Sequence, residues 1–139
     1  MKTIVLAATA ALLTSGAAQA ETLNLKLQGL QPKGGKVLIA VQTRDQFQQT
    51  AMVGGTILEG SATGEATVQI PLPRGDYAVT VLHDADGNMD MTLGSDGLPA
   101  EGWATVNQSK LRARPTFDQV KFAVTGDTSI TLPMVYPGK

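Results

Sequence analysis

The chain contains no cysteine among its 139 residues. That excludes disulfides, thiolate catalysis and cysteine-based metal sites, and it excludes lipidation of a cysteine behind a cleaved leader. Stability must come from the core alone. Histidine occurs once, at His83, so a multi-histidine zinc site cannot be assembled. No serine stands in a recognisable nucleophile motif. A charge excess is lacking as well: eleven Lys and Arg face twelve Asp and Glu, a net charge of −1, which gives no support for nucleic-acid binding. No internal repeat, heptad or low-complexity tract is present, and no segment is apolar for long enough to span a bilayer.

What is present begins with a leader pattern. Lys2 supplies a positive start, Ile4 to Leu13 a short apolar run, and Ala18-Gln19-Ala20 a small-x-small cleavage site. Residues 1–20 read as a signal peptide, and 21–139 as one domain, a length sufficient for one core but not two. The expected location is the periplasm or the exterior.

Beyond Glu21 the dominant pattern is alternation. Leu23, Leu25 and Leu27 fall on one face of an extended segment. Val37 to Val41 is a β-branched run, apolar on both faces, as a central strand requires. Arg44 to Thr50 is a loop or a helical turn around Phe47. Further strands are expected at Thr56 to Leu58, Ala66 to Leu72 and Tyr77 to Leu82, the last two forming a hairpin about Pro73-Arg74-Gly75. Val120 to Val124 and Ser129 to Val135 are expected to form a second hairpin about Gly126-Asp127, with Pro133 placing the final strand at an edge. The fold class is therefore all-β: an antiparallel β-sandwich of about seven strands with one long loop region, 83–115.

Candidate chemistry concentrates in that region. Asp76, Asp84, Asp86, Asp90, Asp96 and Glu101 follow one another with no Lys or Arg between them, and Lys110, Arg112 and Arg114 come after. Acidic and basic segments of this kind can pair across a surface. Asp84, Asp86, Asn88 and Asp90 set oxygen-bearing side chains at alternate positions, as a hard cation such as Ca²⁺ requires. The spacing is not that of an EF-hand: with Asp84 as position 1, glycine falls at 4 and Ser95 at 12. Asp, Asn and Gly are also ordinary turn residues. His83, with acidic neighbours, reads either as a proton carrier or as a structural tie at a strand end, the second being commoner. Trp103 reads as a ligand platform or as a lid over one end of the core. Arg74-Gly75-Asp76 spells an adhesion tripeptide, but a tight turn accounts for it.

The ordered series Leu72-Pro73-Arg74-Gly75-Asp76-Tyr77-Ala78, His83-Asp84 with Gly87-Asn88, Gly97-Leu98-Pro99-Ala100-Glu101-Gly102-Trp103, Asn107 and Arg114-Pro115-Thr116-Phe117-Asp118 resembles the bacterial secreted family called domain of unknown function 2141. The resemblance implies a transthyretin-like (prealbumin-like), more broadly immunoglobulin-like, β-sandwich that is exported and has no established activity. After Asn88 that family usually continues Gly-Lys-x-Asp, whereas this chain has Met89-Asp90-Met91-Thr92.

Two readings of function follow. The first is an exported, non-catalytic module that binds a partner protein, an envelope glycan or a divalent cation through the His83 to Pro115 loops, with His83, Asp84, Glu101, Trp103 and Asn107 as contact candidates. The second is a small transthyretin-like hydrolase using His83 and Asp84, by analogy of fold alone. The related hydroxyisourate hydrolases use several histidines and end Tyr-Arg-Gly-Ser, and this chain ends Tyr136-Pro137-Gly138-Lys139. The leader yields the first testable outcome: exported protein should start at Glu21 by intact-mass measurement, and retention of Met1 would refute cleavage.

Overall fold

The computed structural model describes residues 20–32, 34–58, 63–84, 87 and 101–136. They form eight strands: β1 (Ala20–Leu30), β2 (Lys36–Gln42), β3 (Gly54–Leu58), β4 (Gly64–Pro73), β5 (Gly75–Asp84), β6 (Gly102–Thr105), β7 (Phe122–Val124) and β8 (Thr128–Pro133). A 3₁₀ turn (Gln108–Lys110) and a one-turn helix, α1 (Phe117–Val120), lie between β6 and β7. A three-stranded sheet has the order β4-β1-β8, and a five-stranded sheet the order β3-β2-β5-β6 with β7 also on β5. The result is a sandwich-like all-β fold.

Period-two alternation explains how the sheets face each other. Leu23, Leu25 and Leu27 of β1, Ile70 and Leu72 of β4, and Val37, Ile39, Val41, Val79 and Val81 of β2 and β5 share one buried cluster. The opposite face of the five-stranded sheet carries a second cluster, in which Ala78 and Trp103 pack with Leu111, Phe117 and Val120. This is why β5 is apolar on both faces. α1 is held by its own cap, the Gln119 side-chain oxygen accepting from the Thr116 N–H at 2.9 Å, and its Phe117 packs edge-on to Phe47 at 5.7 Å.

Neither expected hairpin forms. β4 and β5 meet at Arg74 but pair with β1 and β2 respectively, so the turn is an arch that carries the chain from one sheet to the other. Local turn chemistry is the same for both; the deciding factor is that Ile70 and Leu72 face Tyr77 and Val79 across the core instead of lying beside them in one sheet. Likewise β7 pairs with Gly75–Tyr77 of β5, while β8 runs parallel to β1. That makes one strand pair parallel where antiparallel pairing throughout was expected. Val120 belongs to α1, and Val135 lies past β8 in a bridge to Trp103. The long loop region contains β6, a strand too short to show periodicity. Pro133 does lie on an edge strand, and residues 43–49 form hydrogen-bonded turns.

Buried Gln42 fastens those turns to the sheet. Its side-chain nitrogen donates to the carbonyls of Gln49 and Ala51 at 2.9 and 2.8 Å. The packing predicts that Leu25→Ala, at a fully buried position in the middle of the central strand, costs about 2–5 kcal/mol. Urea unfolding should show this as a lowered midpoint with little change in slope.

Candidate functional site

In the pairing of β5 with β6, His83 stands opposite Gly102. The acidic segment therefore leaves and re-enters the same end of the same sheet, and its two ends are held side by side. What fixes that end is a hydrogen-bonded chain built on His83.

His83 lies on the inner face of β5 and is 3% exposed. Its Nε2 is 2.7 Å from the Gly34 carbonyl and its Nδ1 is 2.7 Å from the Tyr136 hydroxyl. A carbonyl only accepts, so Nε2 carries a proton, and in the neutral ring Nδ1 accepts from the Tyr136 O–H. The Tyr136 oxygen in turn accepts from the Gln31 N–H at 3.0 Å. Three distant parts of the chain are thus joined: the β1–β2 connection, the end of β5 and the segment after β8. Tyr136 reaches this position because Val135 and Trp103 exchange backbone hydrogen bonds of 2.9 and 2.7 Å, which draws the chain from the three-stranded sheet onto β6. Gly102 makes room for it. A Cβ at Gly102 would lie 2.3 Å from the Tyr136 ring, so no side chain fits there without displacing the tyrosine.

The remaining candidates are dispersed. Asp84 is fully buried on the opposite face of β5 from His83, in register with Lys36 of β2. Adjacent strand residues point to opposite faces, so His83 and Asp84 do not form a dyad. Glu101 is half-buried at the entry to β6. Trp103 is 6% exposed within the second cluster, and its indole face is occupied by packing. Asn107 is exposed in a left-handed conformation, φ 60°, and its amide donates to the Gln119 carbonyl at 3.1 Å. Asp86, Asn88 and Asp90 lie outside the described residues. Among the described residues no three His, Asp or Glu side chains are grouped to hold a metal ion.

Of the basic residues, Lys36 stands at this end, in register with Asp84. Lys110, Arg112 and Arg114 are exposed around the 3₁₀ turn, and one Arg112 nitrogen donates to the Ser109 and Leu111 carbonyls. Arg44 instead bridges to Asp118 at 2.8 Å and lies over the Phe117 ring at 4.7 Å. Its hydrogen bond and charge hold the Asp118 carboxyl below its ordinary range. Sequence reasoning missed Tyr136, Gly34 and Gly102 as partners of His83. The first is 53 residues away, and only the crossing after β8 brings it close.

This chain predicts two effects of Tyr136→Phe. Removing the hydroxyl leaves His83 Nδ1 and the Gln31 N–H without their partner, at a cost of about 1–3 kcal/mol. Burial also pushes the phenols of Tyr77 and Tyr136 upward from their ordinary value of 10.0, the Gln31 bond partly offsetting this for Tyr136. A raised folded value means stability that is complete below the unfolded value and is lost as the pH rises through the folded one. The urea midpoint of the wild type should therefore fall above pH 10 more steeply than that of a Tyr77→Phe/Tyr136→Phe double variant, whereas equal slopes would contradict the assignment.

No curated protein and no solved structure matches the chain. A family model described as "Uncharacterized protein conserved in bacteria (DUF2141)" matches residues 25–131. That range runs from the middle of β1 into β8 and takes in strands of both sheets, most of both clusters, His83 and the acidic segment, so the chain belongs to the DUF2141 family of bacterial proteins.

Proposed function

We propose that the protein is exported, with its leader removed after Ala20, and acts in the periplasm or outside the cell as a non-catalytic binding module. The contact surface is the set of loops between His83 and Pro115. The observation that carries this reading is the in-register pairing of His83 with Gly102, which ties both ends of a long acidic segment to one end of a rigid sheet. Loops presented on such a scaffold are the usual place for binding residues. The leader pattern of Lys2 and Ala18-Gln19-Ala20 supports export. Glu21, the residue after the cleavage site, already belongs to β1 and pairs with Arg74 at 2.9 Å.

A non-catalytic role is favoured by the commitment of both His83 nitrogens to Gly34 and Tyr136. A general base must leave a lone pair facing its substrate, and this histidine faces the core. The ligand classes that suit an acidic loop are a divalent cation held by Asp86, Asn88 and Asp90 with Asp84 at the base, a partner protein with basic residues, or an envelope glycan bound through carboxylate and amide hydrogen bonds. Carboxylates gathered in one loop repel, and a bound cation relieves that repulsion directly. With an incomplete ligand set, calcium affinity is expected at about 10⁻⁴ to 10⁻³ M.

The test follows melting temperature at fixed ionic strength, because a ligand of the native state raises apparent stability. Asp84 is fully buried and its replacement would confound stability with binding, so the variant is Asp86→Asn/Asp90→Asn. Calcium should raise the melting temperature of the wild type and leave that of the variant in place. Equal shifts in both would assign the ion to another site or to screening. No shift in either would exclude the cation, and soluble envelope-glycan fragments are then the second ligand to titrate against the same pair.

A further inference from the structure

Among the described residues the two sheets have five edge strands, and four are short or protected, β7 being three residues long. β4 carries Pro71 and Pro73, and β8 carries Pro133, where a missing N–H blunts pairing with another chain. β6 is four residues long, and its free side is taken by the bridge between Trp103 and Val135. β3 differs. From Gln46 to Leu58 the chain has neither a charged residue nor a proline, and β3 pairs only with β2 among the described strands. The large hydrophobic residues exposed among the described residues are Met52, Val53 and Ile57, at 52, 38 and 44%. All of them belong to this edge or the two residues leading into it.

The edge is also held in place. Gln42 anchors the Ala51 carbonyl at 2.8 Å, and the Val53 N–H donates to the Val41 carbonyl at 2.9 Å. On its inner side Gly54 is so close to β4 that a Cβ would meet Ile70 at 3.0 Å. Among the described residues the strand therefore has one side left for a neighbour, a lateral row of backbone groups flanked by apolar side chains.

We propose that β3 pairs antiparallel with β3 of a second copy across a two-fold axis near Gly55, joining two five-stranded sheets into one. The occupant is a second copy because the segment is self-complementary. Folded about Gly55, Val53 falls opposite Ile57, Met52 opposite Leu58, and Gly54 opposite Thr56. Apolar meets apolar, small meets small, and no like charges face each other, as a two-fold contact that uses the same patch twice requires. A strand-to-strand contact of this length is at the small end of interface sizes, so the dissociation constant is expected on the order of 100 µM.

The experiment is sedimentation velocity on the purified protein over a concentration series, with circular dichroism confirming that each variant keeps its fold. The wild type should shift reversibly from monomer to dimer. Ile57→Lys and Val53→Glu, each placing a charge at an exposed apolar position, should each weaken the dimer about tenfold or more, and either one suffices if the other fails to fold. The Val53→Glu/Ile57→Lys double variant sets the new carboxylate opposite the new ammonium across the axis, and should regain the dimer. A wild type that stays monomeric at every concentration overturns the proposal and leaves the edge idle or open to an extended peptide of another protein. So does a dimer that neither single substitution weakens, while failure of the double variant to regain the dimer overturns the register about Gly55.

Discussion

Two apolar sheet faces held together without a covalent link are the constraint from which the rest of this molecule follows. Leu23, Leu25 and Leu27 are completely buried against the inner valines and isoleucine of β2 and β5. With no cysteine, the burial of these side chains has to outweigh the entropy of ordering the chain. β1 is the centre of this arrangement because it pairs on both sides, with β4 and with β8. Strands on either side of it are then free to cross to the opposite sheet, and the arch at Arg74 does so.

Buried polar groups show how the fold manages the crossings. Gln42, His83 and Thr105 are each buried and each hydrogen-bonded to a neighbouring segment. A group of this kind is costly if left without a partner, so it specifies where the neighbouring chain must lie. His83 does this for the β1–β2 connection and for the C-terminal segment together. The residue that looks most chemical in the sequence is thereby a structural joint, and its position at the base of the acidic loop gives that loop a fixed platform.

The outer face of the five-stranded sheet has a different economy. Around Ala78 and Trp103 it is covered by Phe117, Val120 and Leu111, so the family pattern around Phe117 and Asp118 describes packing and an ion pair with Arg44. Towards β3 the cover ends, and the apolar residues there are exposed. Membership of the DUF2141 family extends across all of these features and carries no activity with it.

The sequence by itself determined the elements and their faces. Alternation at Leu23 to Leu27 marked the core face of β1, and the doubly apolar run Val37 to Val41 marked an interior strand with a neighbour on each side, because side-chain direction repeats every two residues whatever the partner. It also brought out the ordered motifs that identify the family. The tertiary structure alone decided which strand pairs with which. Pro73-Arg74-Gly75 and Gly126-Asp127 are turn chemistry, and a turn reverses the chain equally well within a sheet or between two; the choice belongs to core packing among residues far apart in sequence. The same holds for His83. Its partners Gly34 and Tyr136 stand 49 and 53 residues away, and no local pattern encodes the Tyr136 bond, which exists only once the segment after the last strand has crossed from one sheet to the other.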